Sequence, residues 1–100
     1  MSISAKSKTL NNNVRHKKIL TVREIEFLCL VALGYGNNLI AENLFVTKST
    51  VKKTLENIFK KLNAKDRANA VAVAFIHNII SVEILNELKQ KYDLMAKEKI

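Results

Sequence analysis

Between Leu20 and Val73 apolar residues recur every three or four positions, the period of an α-helix, with polar residues in the gaps. The pattern is clearest in the run from Val46 to Leu62. On a helical projection Val51, Leu55, Ile58, Phe59 and Leu62 share one side, and Ser49, Lys52, Lys53, Glu56 and Lys60 share the other. The first side has the chemistry of a protein core; the second suits an anionic partner. Proline is absent and the only glycines are Gly34 and Gly36, so helix breakers are scarce. No stretch alternates apolar and polar residues long enough to make a strand. The pattern predicts an all-α fold.

Capping residues set the element boundaries. Thr21 followed three residues later by Glu24 is a capping box, which starts a first helix with Ile25, Leu28, Val31 and Ala32 facing inward. Gly34 is placed to end it in a left-handed conformation. Asn37 is read as the cap of a short second helix, to about residue 43, whose inner residues are Ile40, Ala41 and Leu44. Ala41 is small enough to let two helices cross closely. Thr47 caps a third helix ending near Leu62. A fourth, about residues 66–77, has Asp66 near its start and is apolar nearly all round, more so than one small core requires. Ser81 can cap a last helix to about residue 97, with Val82, Leu85, Leu88, Tyr92 and Met95 on one stripe. That stripe either folds back on the fourth helix or forms a dimer interface. The predicted organisation is a flexible basic arm (1–18), a helical domain (19–80) and a C-terminal helix for packing or dimerisation (81–100).

Charge sharpens the reading. The formal net charge is +8, and it is concentrated in two places. Residues 1–20 hold Lys6, Lys8, Arg15, Lys17 and Lys18 with no acid, a charge of +5. Residues 48–67 hold six lysines and Arg67 against Glu56 and Asp66, again +5. Clustered positive charge is the footprint of a polyanion binder, although solubility alone also accounts for a basic composition.

Other chemistries find little support. Cys29 is the single cysteine and has apolar neighbours, which reads as a buried, inert thiol. His16 and His77 are far apart, and no metal-ligand spacing, phosphate-binding glycine loop or nucleophile with its base is present. No enzyme activity, metal or cofactor is expected. The apolar runs are too short to span a bilayer, and the N-terminus lacks the apolar stretch of a secretory signal. A cytoplasmic, nucleoid-associated location with no membrane partner is therefore expected.

Four groups of residues carry a family resemblance: Leu20, Thr21, Arg23, Glu24, Glu26 and Leu28; Gly34, Asn37, Ile40, Ala41 and Leu44; Thr50, Val51, Lys52, Leu55, Ile58, Lys61 and Leu62; and Arg67, Ala70 and Val71. In this order and spacing the chain resembles the LuxR-type, or GerE-type, helix-turn-helix domain over roughly residues 18–80. The resemblance implies a four-helix bundle, here with an additional C-terminal helix, in which residues 37–56 form the helix-turn-helix. It also implies a bacterial-type transcription regulator that binds double-stranded DNA as a dimer, often through the fourth helix; with the apolar stripe of the last helix, a homodimer through the fourth helix, the C-terminal helix or both is expected. By the same resemblance Lys52, Lys53 and Glu56 face the major groove, and Asn37, Thr47, Thr50 and Lys61 lie near phosphates. Departures occur at Gly36, Asn38 and Leu39, where relatives often carry Ser, Lys and Glu, and at Thr54 and Asn63, where His and Gly are common. Glu56 stands where relatives can be basic. The operator is thus not transferable. Most relatives carry an upstream sensory domain, and the short polar N-terminus here resembles the stand-alone subset.

The resulting expectation is a sequence-specific regulator with residues 48–62 as the recognition helix. Thr47, Ser49 and Thr50 are expected at phosphate or groove edge, Lys52 and Lys53 to donate to guanine, and Glu56 to accept from cytosine. Lys60 and Lys61 read as phosphate anchors or solvated charges. Without DNA, Glu56 is expected to pair with Lys52 or Lys60, and Glu24 or Glu26 with Arg67. Arg15, Lys17 and Lys18 either follow the DNA backbone or minor groove or serve as a solubilising tail. Two other readings use the same fold. One is an interaction protein that sequesters another regulator through the fourth and C-terminal helices. The other is a sigma-factor-like promoter-recognition module, which would require RNA polymerase as partner.

Overall fold

A computed structural model describes residues 20–98, with side chains to Leu94. Five helices follow one another: α1 (Val22–Ala32), α2 (Asn37–Leu44), α3 (Lys48–Leu62), α4 (Arg67–Ile76) and α5 (Val82–Glu98). No strand occurs among the described residues.

The caps explain the boundaries. Thr21 Oγ1 accepts from the Glu24 amide at 3.0 Å while the Thr21 amide donates to Glu24 Oε1 at 2.9 Å, completing the expected capping box. Gly34 takes φ 93°, a left-handed conformation that L side chains rarely adopt. Thr47 accepts from the Thr50 amide, Asp66 from the Asn69 amide and Ser81 from the Ile84 amide, so α3, α4 and α5 each start on a side-chain cap. Asn63 closes α3 at φ 54°, with the Ala64 amide reaching back to the Phe59 carbonyl at 2.8 Å. Asparagine is the residue other than glycine best suited to that position.

The cap of α2 differs from expectation. Gly36 occupies it with no side-chain hydrogen bond, and Asn37 is the first helical residue. Arg67 explains the difference: it occupies the Asn37 side-chain oxygen, which a cap would have turned toward the helix's own amides. At the other end Phe45 adopts φ 58° and is 81% exposed, an unusual conformation for an aromatic residue.

α1 is the hub. Phe27, Leu28, Cys29, Leu30 and Val31 are buried in succession, which an amphipathic surface helix would not do. The reason is that α2, α3, α4 and α5 all pack around it. The inward residues of α2 and α3 are Ile40, Ala41, Leu44, Val51, Leu55, Ile58 and Leu62, as the periodicity predicts, with Phe59 half-buried. Ile79 and Ile80, in the link after α4, plug the bottom of this core.

α5 folds back chiefly on α1 instead of α4. Leu85 and Leu88 are half-buried there, and Tyr92 is 3% exposed. Val82, predicted on the same stripe, is largely exposed. α4 is consequently left open along Ala68, Ala72 and Ile76, spaced four residues apart, with Ile76 66% exposed.

Candidate nucleic-acid interface

The packing of α3 decides what it can present. Val51, Leu55, Ile58 and Leu62 anchor it to the core, so the opposite side must face solvent. Lys48, Ser49, Thr50, Lys52, Lys53, Glu56, Asn57, Lys60 and Lys61 are all exposed. Lys48 and Asn57 join the residues that the sequence points to. For Lys48 the available signal is its charge beside the Thr47 cap; for Asn57 nothing but its helical position distinguishes it.

At the start of α3 three hydroxyls converge. Thr47 Oγ1 lies 2.9 Å from Thr50 Oγ1 and 3.2 Å from Ser49 Oγ. They surround the helix's positive dipole end, where unpaired amides also point outward, a setting that favours an anionic oxygen. Lys48, Lys52 and Lys53 extend the positive field along the next turn. Glu56 makes no ion pair with Lys52 or Lys60 among the described residues. The expected intrahelical pairing is absent because exposed pairs gain about 0–1 kcal/mol, roughly what immobilising two long side chains costs.

Two predicted site residues are tied into the fold. Lys61 Nζ lies 2.9 Å from both carboxylate oxygens of Glu24. Side-chain exposure is 37% for Lys61 and 13% for Glu24. Burial raises the Glu24 pKa, but hydrogen bonds from Lys61 and Thr21 and the Lys61 charge outweigh it and hold the carboxyl below its ordinary value. Asn37 is half-buried, and its Oδ1 accepts from Arg67 Nη1 at 2.7 Å. Arg15, Lys17 and Lys18 lie outside the described residues.

Arg67 does not pair with Glu24 or Glu26. Its second nitrogen donates to the Tyr35 carbonyl at 2.9 Å. Arg67 opens α4 beside the start of α2, where neutral oxygens are the nearest acceptors. Glu26 instead accepts from Arg23 at 3.0 Å and from the Tyr92 hydroxyl at 2.9 Å. The Cys29 thiol is buried, and burial, with a smaller contribution from Glu26, pushes its pKa up to about 11, which keeps it protonated and unreactive.

A short helix, a tight turn and a longer helix with its polar side outward are a helix-turn-helix. The family model described as "Bacterial regulatory proteins, luxR family" matches residues 18–74. The chain belongs to this LuxR/GerE family of helix-turn-helix DNA-binding transcription regulators. Over 63 residues it is 48% identical to the response regulator protein VraR of Staphylococcus aureus, and equally to its namesakes in Staphylococcus saprophyticus and Staphylococcus epidermidis. Each alignment covers 63% of this chain but 30% of the relative. The chain thus spans about a third of the length of the curated relatives it matches. No helix among the described residues is long and apolar enough to cross a membrane.

Proposed function

We propose that the chain is a sequence-specific double-stranded DNA-binding regulator that works in the cytoplasm and inserts α3 into the major groove. The observation that carries the reading is the division of labour on α3. From Ser49 to Lys60 its exposed polar side chains are tied to no other helix, so they are free to meet a ligand. The Thr47, Ser49 and Thr50 hydroxyls and the first amides of α3 grip a phosphate. Lys52 and Lys53 donate to guanine edges and Glu56 accepts from a cytosine amino group. Lys60 anchors a second phosphate. Lys61 has a divided role, since Glu24 already neutralises much of its charge.

The chain acts as a homodimer through the open stripe of α4, Ala68, Ala72 and Ile76. Small residues there allow close approach, and α5 supports the choice of α4 by spending its own apolar side on α1. A two-fold dimer reads two half-sites about one helical turn apart. Selection of bound duplexes from a random pool tests binding, symmetry and spacing together. Enrichment of a paired half-site is the expected result. Failure to retain any duplex at low salt would remove the reading, and a mixed dimer that forms without DNA and tolerates removal of Lys52 and Lys53 would favour sequestration of another regulator instead.

A further inference from the structure

We propose that Tyr92 of α5 is a positioning residue for the helix-turn-helix, bracing both ends of α2 at once. α2 is only eight residues long, its N-cap makes no side-chain hydrogen bond, and its C-cap is the left-handed Phe45. A helix so short and weakly capped is marginal on its own, and its two ends need contacts from the rest of the fold. Arginines supply a contact at each end. Arg67 holds the entry, donating to the Tyr35 carbonyl and to Asn37 Oδ1 at 2.9 and 2.7 Å. Arg23 holds the exit, its Nη2 donating to the Leu44 carbonyl at 2.8 Å.

The two clamps converge on one side chain. The Tyr92 hydroxyl donates to Glu26 Oε2 at 2.9 Å, and Glu26 Oε1 accepts from Arg23 Nη1 at 3.0 Å. Glu26 therefore orients the guanidinium that grips Leu44. The Tyr92 ring meets the Tyr35 ring with centroids 6.3 Å apart at 59°, in the tilted arrangement aromatic pairs prefer. Tyr35 in turn offers its carbonyl to Arg67. Tyr92 lies beyond residues 18–74, the part matched by the family model, so the brace belongs to this chain's own C-terminal helix. By fixing α2 at both ends it fixes the turn that aims α3. Its value for recognition rests on the DNA-binding reading, but the brace itself does not.

Amide hydrogen exchange on the full chain without DNA tests it with Y92F and Tyr92→Leu. Y92F keeps the ring and removes the hydroxyl that reaches Glu26. Exchange at Phe45 and Val46, whose amides donate to the Ala41 carbonyl, should rise about three- to tenfold, the scale of a coupled network, while Ile40 near the entry stays unchanged. Tyr92→Leu should loosen both ends. Amides of Ile58 and Ala74, deep in the core, should stay protected in Y92F. Unchanged exchange around the turn, or a uniform rise that includes Ile58 and Ala74, would overturn the brace. A duplex recovered by selection provides the second readout, on which Y92F should bind about threefold or more weakly. Local loosening with unaltered affinity would overturn the positioning role. A wild-type chain that shows the exchange pattern but retains no duplex would instead overturn the DNA-binding reading and leave the brace standing.

Discussion

Lys53 and Lys61 sit on the same helix, eight residues apart, with the same charge and flexible stem, yet the fold treats them differently. Lys61 lies where α3 passes the first turn of α1, and Glu24 receives it at 2.9 Å. Lys53 lies on the side turned away from every other helix and is exposed. Net charge counts the two alike. The structure separates charge consumed in joining helices from charge left available to a ligand. The same division separates Arg23, committed to the Leu44 carbonyl and the Glu26 carboxylate, and Arg67, committed to a backbone and an amide oxygen, from Lys48 and Lys52.

The contrast between the two sides of α3 can be broken at several points. The largest effect is expected on the inner side. Ile58 is fully buried, and Ile58→Ala should cost about 2–5 kcal/mol in urea unfolding through reduced burial and a residual cavity. Changing Lys52 and Lys53 together to Ala should leave stability within about 0.5 kcal/mol. It should weaken binding to a selected duplex by about 1–3 kcal/mol per base-reading lysine removed, measured by fluorescence anisotropy. A comparable fall in stability would mean that the outer side of α3 also holds the fold. Ala41 is buried where α2 meets the turn, and Ala41→Leu should destabilise by about 1–3 kcal/mol through overpacking, with binding falling in parallel.

The smallest effect concerns Glu24 and Lys61. The folded Glu24 carboxyl titrates below its ordinary value. Its stabilisation is therefore present above the unfolded pKa of about 4.3 and disappears as pH falls through the lower folded value. Glu24→Gln should flatten that acid limb and cost about 1 kcal/mol or less at neutral pH, as exposed pairs do. Lys61→Ala should weaken all duplexes equally while reducing the salt slope by less than the ~0.9 of a full phosphate contact. A full unit of slope would show that Lys61 leaves Glu24 when DNA arrives.

Much of the fold is legible in the sequence because it is local. The Thr21–Glu24 box, the Thr47 and Ser81 caps, the left-handed Gly34 and the inner stripe of α3 all follow from residues within one or two turns. What escapes is non-local: the Lys61–Glu24 ion pair, and bonds to neutral oxygens. Residue types alone pair Arg67 with an acid, but a guanidinium offers five donors, and carbonyl or amide oxygens satisfy them as well. The Leu44 and Tyr35 carbonyls leave no trace in residue type. For the same reason α5 packs on α1, where the sequence leaves the fourth helix and a second subunit as the alternatives: an apolar stripe shows that a helix must pack, not on which neighbour. Tyr92 has a polar tip that Glu26 of α1 satisfies, and that hydrogen bond helps fix the choice. Most of the outer face of α3 is legible, since Ser49, Lys52, Lys53, Glu56 and Lys60 stay exposed where the helical projection places them, whereas the hold of Glu24 on Lys61 is not.

The central claim is that this free face reads sequence. The most direct test is site selection from random duplexes with the wild-type chain and the Lys52→Ala, Lys53→Ala double variant in parallel. The wild type should enrich a defined half-site, and the variant, folded and still weakly retained at low salt, should enrich none or a relaxed one. Recovery of the same motif by both proteins would contradict it.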